Sequence, residues 1–232
     1  MEWQSPPADL KLEPLEVHVW QASLDRSVEQ ITKFREFLSV DERERADRFK
    51  FDQHRNRFIV GRGILRSLLA QYLQSDPKVL EFSYGSHGKP FLKSTNLQFN
   101  LAHSQDLGLF AITYDYFIGV DIEKIREIKD ISALTQRFFS QSECQSIRNQ
   151  VPVFFRHWTC KEAFLKATGK GLSQIQQLEI SIDQIAKLKK LPDQNSIQNW
   201  CLKELILKDG FFGAIAVQNF AIPLTFKCFM HK

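Results

Sequence analysis

Trp158, Glu162 and Lys166 stand at i, i+4 and i+8 in the run Trp-Thr-Cys-Lys-Glu-Ala-Phe-Leu-Lys. On an α-helix that spacing aligns an aromatic ring, a carboxylate and an ammonium along one stripe. The helix is expected over Trp158 to Thr168, closed by Gly169, because glycine readily takes the left-handed conformation of a C-terminal cap. Upstream, Ile118-Gly119-Val120-Asp121-Ile122-Glu123 alternates with period two. As a strand it sends Asp121 and Glu123 to one side and Val120 and Ile122 to the other. Gly119 leaves space for a backbone or a ligand to come close.

If that strand faces the helix, Asp121, Glu123 and Glu162 make an all-oxygen site suited to a hard cation, with Lys166 beside it to neutralise a phosphate. The combination points to Mg²⁺-assisted chemistry on a phosphate ester. Each part has a plainer explanation alone. Asp-x-Glu at a strand exit is ordinarily solvated charge, and Glu162 with Lys166 is ordinarily a helix-surface pair worth about 0.2–0.5 kcal/mol. Trp158 on the same stripe favours a cleft over open surface, since a large indole seeks burial. Lys161, a quarter-turn away, is expected to be solvated.

The chain has 232 residues, enough for one large domain or two small lobes, and its 43% hydrophobic content suffices for a core. A net charge of +4 leans towards anionic partners but is too small and dispersed to argue for duplex nucleic acid. Four cysteines without a C-x-x-C pair fit reduced thiols better than a zinc site or a disulfide framework. No signal peptide is read at Met1–Pro7 and no apolar run approaches bilayer length, so a cytoplasmic protein is expected. The fingerprints of P-loop, Rossmann, serine-hydrolase and zincin sites are missing from the sequence, which leaves some other Mg²⁺ architecture.

The element pattern is α+β. Leu15 to Trp20 alternates as a strand, Ser27 caps a helix, Asp41 begins a charged helix, and a longer apolar helix runs from about Arg57 to Leu73 before Asp76-Pro77 stops it. Gly85 and Gly88-Lys89-Pro90 mark turns; Leu97 to Leu101 and Leu107 to Thr113 read as strands. A helix near Leu134 to Phe139, a capping box at Ser140 and Glu143, and strands at Leu178 to Ile182 and from Trp200 complete the chain. Leu107–Thr113 is echoed by Phe211–Val217, which suggests two similar lobes. The segment after the second copy, Ile222-Pro223-Leu224-Thr225, has no carboxylates, so two pseudo-symmetric lobes would form only one catalytic centre, at their interface. His103 and Ser104 end an alternating strand as hydrogen-bond donors, and Arg45, Arg55, Arg57 and Arg62 form a cluster suited to a phosphate monoester.

Three blocks then resemble one family: Phe99-Asn100-Leu101-Ala102-His103-Ser104, Ile118 to Glu123, and Trp158-x-x-Lys161-Glu162-Ala163-x-x-Lys166 through Gly169-Lys170-Gly171-Leu172. In order and spacing they resemble the 4′-phosphopantetheinyl transferases of the surfactin-synthetase-activating (Sfp-type) class. Weaker similarity covers Arg43 to Arg66 and Gly88-Lys89-Pro90. The resemblance implies an α+β monomer of two similar lobes in a pseudo-twofold arrangement, divided here as residues 1–115 and 116–232, with coenzyme A in the cleft. It implies that the serine hydroxyl of an apo acyl, polyketide or peptidyl carrier protein attacks the β-phosphate, releasing 3′,5′-ADP. Asp121, Glu123 and Glu162 would hold Mg²⁺ or Mn²⁺, with Asp121 also against the coenzyme; Lys166 and His103 would contact the pyrophosphate. Lys89, Ser104 and one or more of Arg45 and Arg57 would grip the adenine and 3′-phosphate end. Glu162 or a metal-bound water would take the serine proton, making Glu162 and Lys166 the catalytic pair. Glu42 and Phe58 depart from the lysine and threonine of some relatives. The alternative is a non-catalytic module that binds coenzyme A or a carrier protein. No nucleic-acid or membrane partner is expected.

Overall fold

The computed structural model describes residues 2–192, 196–220 and 222–231. The chain begins with a short strand β1 (Trp3–Gln4) and the longer β2 (Glu16–Ser23), followed by helices α1 (Val28–Phe37), α2 (Val40–Asp47) and α3 (Asp52–Leu73). Ser27 caps α1 through a capping box with Gln30. The helix α3 starts five residues before the expected Arg57, because its first turn is polar and so leaves no apolar mark in the sequence. It ends at Leu73 on a left-handed Gln74 with φ of 50°, ahead of the Asp76-Pro77 pair.

A hairpin of β3 (Phe82–Tyr84) and β4 (Pro90–Leu92) then leads to β5 (Leu97–Ser104), β6 (Leu107–Tyr114) and β7 (Ile118–Lys124). Helices α4 (Ile131–Phe138), α5 (Gln141–Ile147) and α6 (Val151–Thr168) come next, with Pro152 in the first turn of α6, where a missing N–H costs nothing. Strands β8 (Glu179–Ile182), β9 (Ala186–Lys190), β10 (Trp200–Leu205), β11 (Phe211–Gln218) and β12 (Thr225–His231) complete the order.

These elements make four layers. One sheet runs β1-β12-β2-β6-β5 and another β10-β11-β7. Along β2 and β6, Trp20, Phe110 and Ile112 pack against Ile64, Leu65 and Leu68 of α3. The alternate residues Val19, Leu109 and Ala111 face Val120, Ile122, Ile215 and Val217 of the second sheet. That sheet's other face, through Ala214 and Ala216, packs on Ala163, Phe164 and Ala167 of α6. Period-two alternation between two apolar cores explains why both echo strands, β6 and β11, read as continuous hydrophobic runs. Each also lies at the centre of three neighbouring strands, β2-β6-β5 and β10-β11-β7.

The final strand β12 pairs in parallel with β2 and with β1, so the carboxyl end lies in the first sheet. Its sequence carries no sign of its partner, since strand pairing at this separation is a tertiary choice. Among the described residues no helix is long and apolar enough to cross a membrane.

Candidate active site

Helix α6 lies unusually close to β7 because of one residue. A Cβ built on Gly119 would stand 2.1 Å from the Ala163 carbonyl oxygen and 2.2 Å from the Ala167 nitrogen. The space anticipated at Gly119 is therefore taken by helix backbone. The approach brings the two motifs together: Lys166 Nζ donates to Asp121 Oδ1 over 2.5 Å, and Asp121 is only 4% exposed. Lys166 thus reaches across to the strand, where the simpler reading paired it with Glu162 one turn away. Burial raises the Asp121 pKa to about 7, against the opposing pull of Lys166, and the charges of Glu162 and Glu123 push it the same way as burial. Glu162 is also raised, by burial first and then by Glu123.

Glu123 Oε2 accepts from Arg126 over 2.9 Å and from the Ser104 hydroxyl over 3.3 Å. Two of the three expected metal-binding carboxylates are therefore held by protein cations. Among the described residues no group of three His, Cys, Asp or Glu side chains is assembled into a ready cage. The donor set still fits a hard cation. Asp121 Oδ2 is buried and accepts no hydrogen bond among the described residues, and an unsatisfied buried carboxylate oxygen is costly unless a cation meets it.

Glu162 and Lys166 line a cavity of about 310 Å³ together with Lys89, Asn100 and Leu101. Next to it, sharing Gly88, Pro90 and Leu101, is a basic cavity of about 210 Å³ whose wall includes Arg45, Arg57, Arg62 and His103. Arg57 is oriented by a bidentate contact with Asp25 at 2.7 and 2.8 Å. Arg45 rests over the Phe58 ring, its Cζ 5.2 Å from the centroid. The His103 side chain stays open to solvent at the cavity wall, while desolvation by its surroundings and the Lys166 ammonium lower its pKa. A larger cavity, about 850 Å³, opens beside α2 and β3 and includes none of the expected site residues.

Glu42, where some relatives have a lysine, has arginine partners within the first helices. It is 2% exposed and joins Arg62 at 2.7 Å and Arg66 at 2.6 Å. Arg62 then donates to the Tyr84 hydroxyl over 2.6 Å at the edge of the basic cavity. The sequence reading assigns Arg62 to a cluster suited to a phosphate monoester; in the structure its guanidinium is paired with Glu42, twenty residues earlier. Lys161, expected to be solvated, is fully buried: its ammonium donates to Glu143 Oε2 over 2.6 Å and to the carbonyls of Phe138 and Ile175. The capping-box glutamate Glu143 supplies the counter-charge that lets a lysine enter the core. Trp158 stacks on Phe154 in an aromatic cluster, their ring planes 10° apart.

Two residues assigned by resemblance to the coenzyme have other partners here. Ser104 Oγ accepts from the Lys124 N–H over 3.0 Å, and Lys89 Nζ donates to the carbonyls of Ile118 over 2.8 Å and Ala167 over 3.0 Å. Asn100, missed from sequence as a functional side chain, accepts from the Val120 N–H over 2.9 Å while 5% exposed.

Comparison with known proteins agrees in both halves. A family model described as 4′-phosphopantetheinyl transferase, N-terminal, matches residues 20–114, and one for the 4′-phosphopantetheinyl transferase superfamily matches residues 117–204. The chain is 42% identical over 229 residues to the 4′-phosphopantetheinyl transferase HetI of Nostoc sp., covering 94% of each protein. It is 34% identical to a putative 4′-phosphopantetheinyl transferase of Synechocystis sp., covering 85% of each. It is 30% identical to the Sfp enzyme of Bacillus subtilis, over 73% of this chain and 78% of that one. The solved holo-[acyl-carrier-protein] synthase of Thermotoga maritima overlaps loosely, with a TM-score of 0.36 at 18% identity over 44% of this chain and 62% of that one. This chain belongs to the 4′-phosphopantetheinyl transferase superfamily and is related to its Sfp-type members.

Proposed function

We propose that this chain moves the 4′-phosphopantetheine group of coenzyme A onto a serine of an apo carrier protein. The observation that carries the mechanism is the Lys166–Asp121 contact, with Glu123 and Glu162 electrostatically coupled to it, beside an arginine-walled cavity. Such a transfer depends on positioning and charge neutralisation more than on covalent help from the protein. Arg45, Arg57 and Arg62 offer a pocket for the 3′-phosphate end, and Lys166 with His103 faces the diphosphate. Asp121, Glu123 and Glu162 are the residues that would hold a divalent cation, which supplies neutralisation of the diphosphate charge when bound. The serine oxygen attacks the β-phosphorus, the P–O bond to the α-phosphate breaks, and 3′,5′-ADP leaves carrying the bridging oxygen. Glu162, whose carboxyl is held above its ordinary pKa by burial, is the candidate acceptor of the serine proton. The enzyme is read as a monomer with its two lobes in a pseudo-twofold pair.

Incubation with coenzyme A, MgCl₂ and an apo acyl or peptidyl carrier protein should add roughly 340 Da to the carrier, the mass of the transferred group. Coenzyme A binding without any mass gain across a panel of apo carriers would identify a non-catalytic binder instead.

A further inference from the structure

Among the described residues the edge of β7 that faces β5 has no backbone ladder, and β7 pairs with β11 on its other side. Side chains of the first lobe satisfy that edge. Lys89 donates to the Ile118 carbonyl, Asn100 accepts from the Val120 N–H and Ser104 accepts from the Lys124 N–H. Residues two apart on a strand present their backbone groups to the same side, so these contacts form one seam.

Lys89 alone extends the seam to a second element. Its ammonium also meets the Ala167 carbonyl, 3.0 Å away in the last turn of α6. Carbonyls of a helix's last turn lack an intrahelical partner and carry the negative end of the helix dipole, so a cation there is favourable. The turn that delivers Lys89 is fixed by hydrogen bonds from Gly85 N–H to Lys89 O and from Gly88 N–H to Gly85 O, both at 2.9 Å. Gly88 has φ of 77°, a left-handed conformation in which other residues are strained. The neighbouring His87 ring lies against Gly171, where an added Cβ would come within 2.7 Å of it.

We propose that Lys89 is a positioning residue that clasps the first lobe to β7 and to the end of α6, setting the spacing between the arginine-walled cavity and the Asp121–Lys166 centre. This rests on the transferase reading above. The clasp acts three residues before Asp121 on β7 and one residue after Lys166 on α6, and therefore on both halves of the centre. It gives the ammonium a role in holding the apo protein, where the family resemblance gives it a role in gripping the coenzyme. Desolvation lowers the Lys89 pKa to about 8, which leaves it mostly charged at neutral pH and able to donate to both carbonyls.

The test compares Lys89→Met and Lys89→Arg with the unmodified chain. Lys89→Met should lower kcat by about tenfold at a temperature well below unfolding, with KM for coenzyme A changed by less than about twofold. Lys89→Arg should recover part of the rate, because a guanidinium can still donate to both carbonyls. The preference for coenzyme A over 3′-dephospho-coenzyme A should not change, and amide hydrogen exchange in the ligand-free Lys89→Met protein should speed up at residues 118–120 and 167–171. A raised KM with unchanged kcat and a lost preference for the 3′-phosphate would make Lys89 a ligand contact and overturn the proposal. An unaltered kcat and KM alongside faster exchange would leave only a structural role and overturn it too. If the unmodified chain transfers nothing to any apo carrier, the functional reading fails by itself. The exchange experiment still decides the clasp, since unchanged exchange in Lys89→Met refutes it.

Discussion

Lys166 Nζ stands 2.5 Å from Asp121 Oδ1, joining helix α6 to the strand beneath it, close to where Gly119 lets the helix backbone approach. The lysine is half-exposed with 32% of its side chain accessible, while the aspartate is buried, so the pair presents an ammonium to the cavity and keeps a carboxylate behind it. Removing the cation should affect chemistry more than binding. Lys166→Met is expected to lower kcat by about 10²- to 10³-fold, the range for losing one preorganised charge at a developing anion. KM for coenzyme A should move much less. Steady-state kinetics on a purified apo carrier measures both, and a kcat within about threefold of the unmodified chain would remove Lys166 from the centre.

The same pair would make binding of the proposed cation dependent on pH. Asp121 has a pKa raised to about 7, so its carboxyl is protonated in much of the folded protein below neutrality, and a hard cation must displace that proton. Mg²⁺ affinity should therefore rise with pH up to about 7 and level off above it, losing about tenfold per pH unit on the acid side. Stability has the opposite sign. The folded pKa exceeds the unfolded value of 3.8, so the folded state binds more protons between those limits. Without cation, this group's contribution to stability is full below about pH 4 and declines as pH rises towards 7. Calorimetric Mg²⁺ titrations at pH 6, 7 and 8 in buffers of different ionisation enthalpy would read the proton release directly, and equal affinities with no proton released would refute the assignment.

Gly119→Ala tests the close approach. The added methyl group would meet helix backbone at 2.1 and 2.2 Å, and neither contact is with a flexible side chain that could turn away. Helix α6 must therefore lift off β7, at a cost of about 3 kcal/mol, the upper end for overpacking a core. For a chain of this length that is a fall on the order of 10 °C in Tm. Activity should fall further than stability explains, since Lys166 moves away from Asp121. Thermal unfolding followed by circular dichroism, together with assays well below Tm, would separate the two effects.

The three motif blocks were legible because their residue types and spacings are local: alternation puts Val120 and Ile122 in the inter-sheet core and Asp121 on the α6 face, as the structure has it. What could not be read was which side chain satisfies which distant backbone. Asn100 looks like any polar residue in a half-buried strand, and its bond to the Val120 N–H depends on β5 and β7 lying side by side without a ladder. Lys161 illustrates the same limit. A lysine on a helix is solvated by default. Only the arrival of Glu143 from a separate short helix makes its burial affordable, and no local pattern links the two. The return of β12 to the first sheet was hidden for a related reason, because its alternation specifies a strand but not its neighbour.

That buried pair makes the last prediction. Glu143 Oε1 accepts from the Ile180 N–H over 3.0 Å and Oε2 from the Ser140 N–H over 2.8 Å, so the carboxylate ties α5 and β8 to α6 through Lys161. Lys161→Met would leave that carboxylate buried without a counter-ion, which costs about 3–5 kcal/mol. Glu143→Gln would strand the ammonium at a similar cost, relieved only by the carbonyls of Phe138 and Ile175. In the double variant neither charge remains, so most of the loss should be recovered and the coupling energy should exceed about 2 kcal/mol. Because Lys161 precedes Glu162 on the helix, the single variants should also lower kcat, while the double variant restores rate and stability together. A four-way cycle of urea denaturation measures the coupling, and additive losses would show that the two side chains act independently of each other.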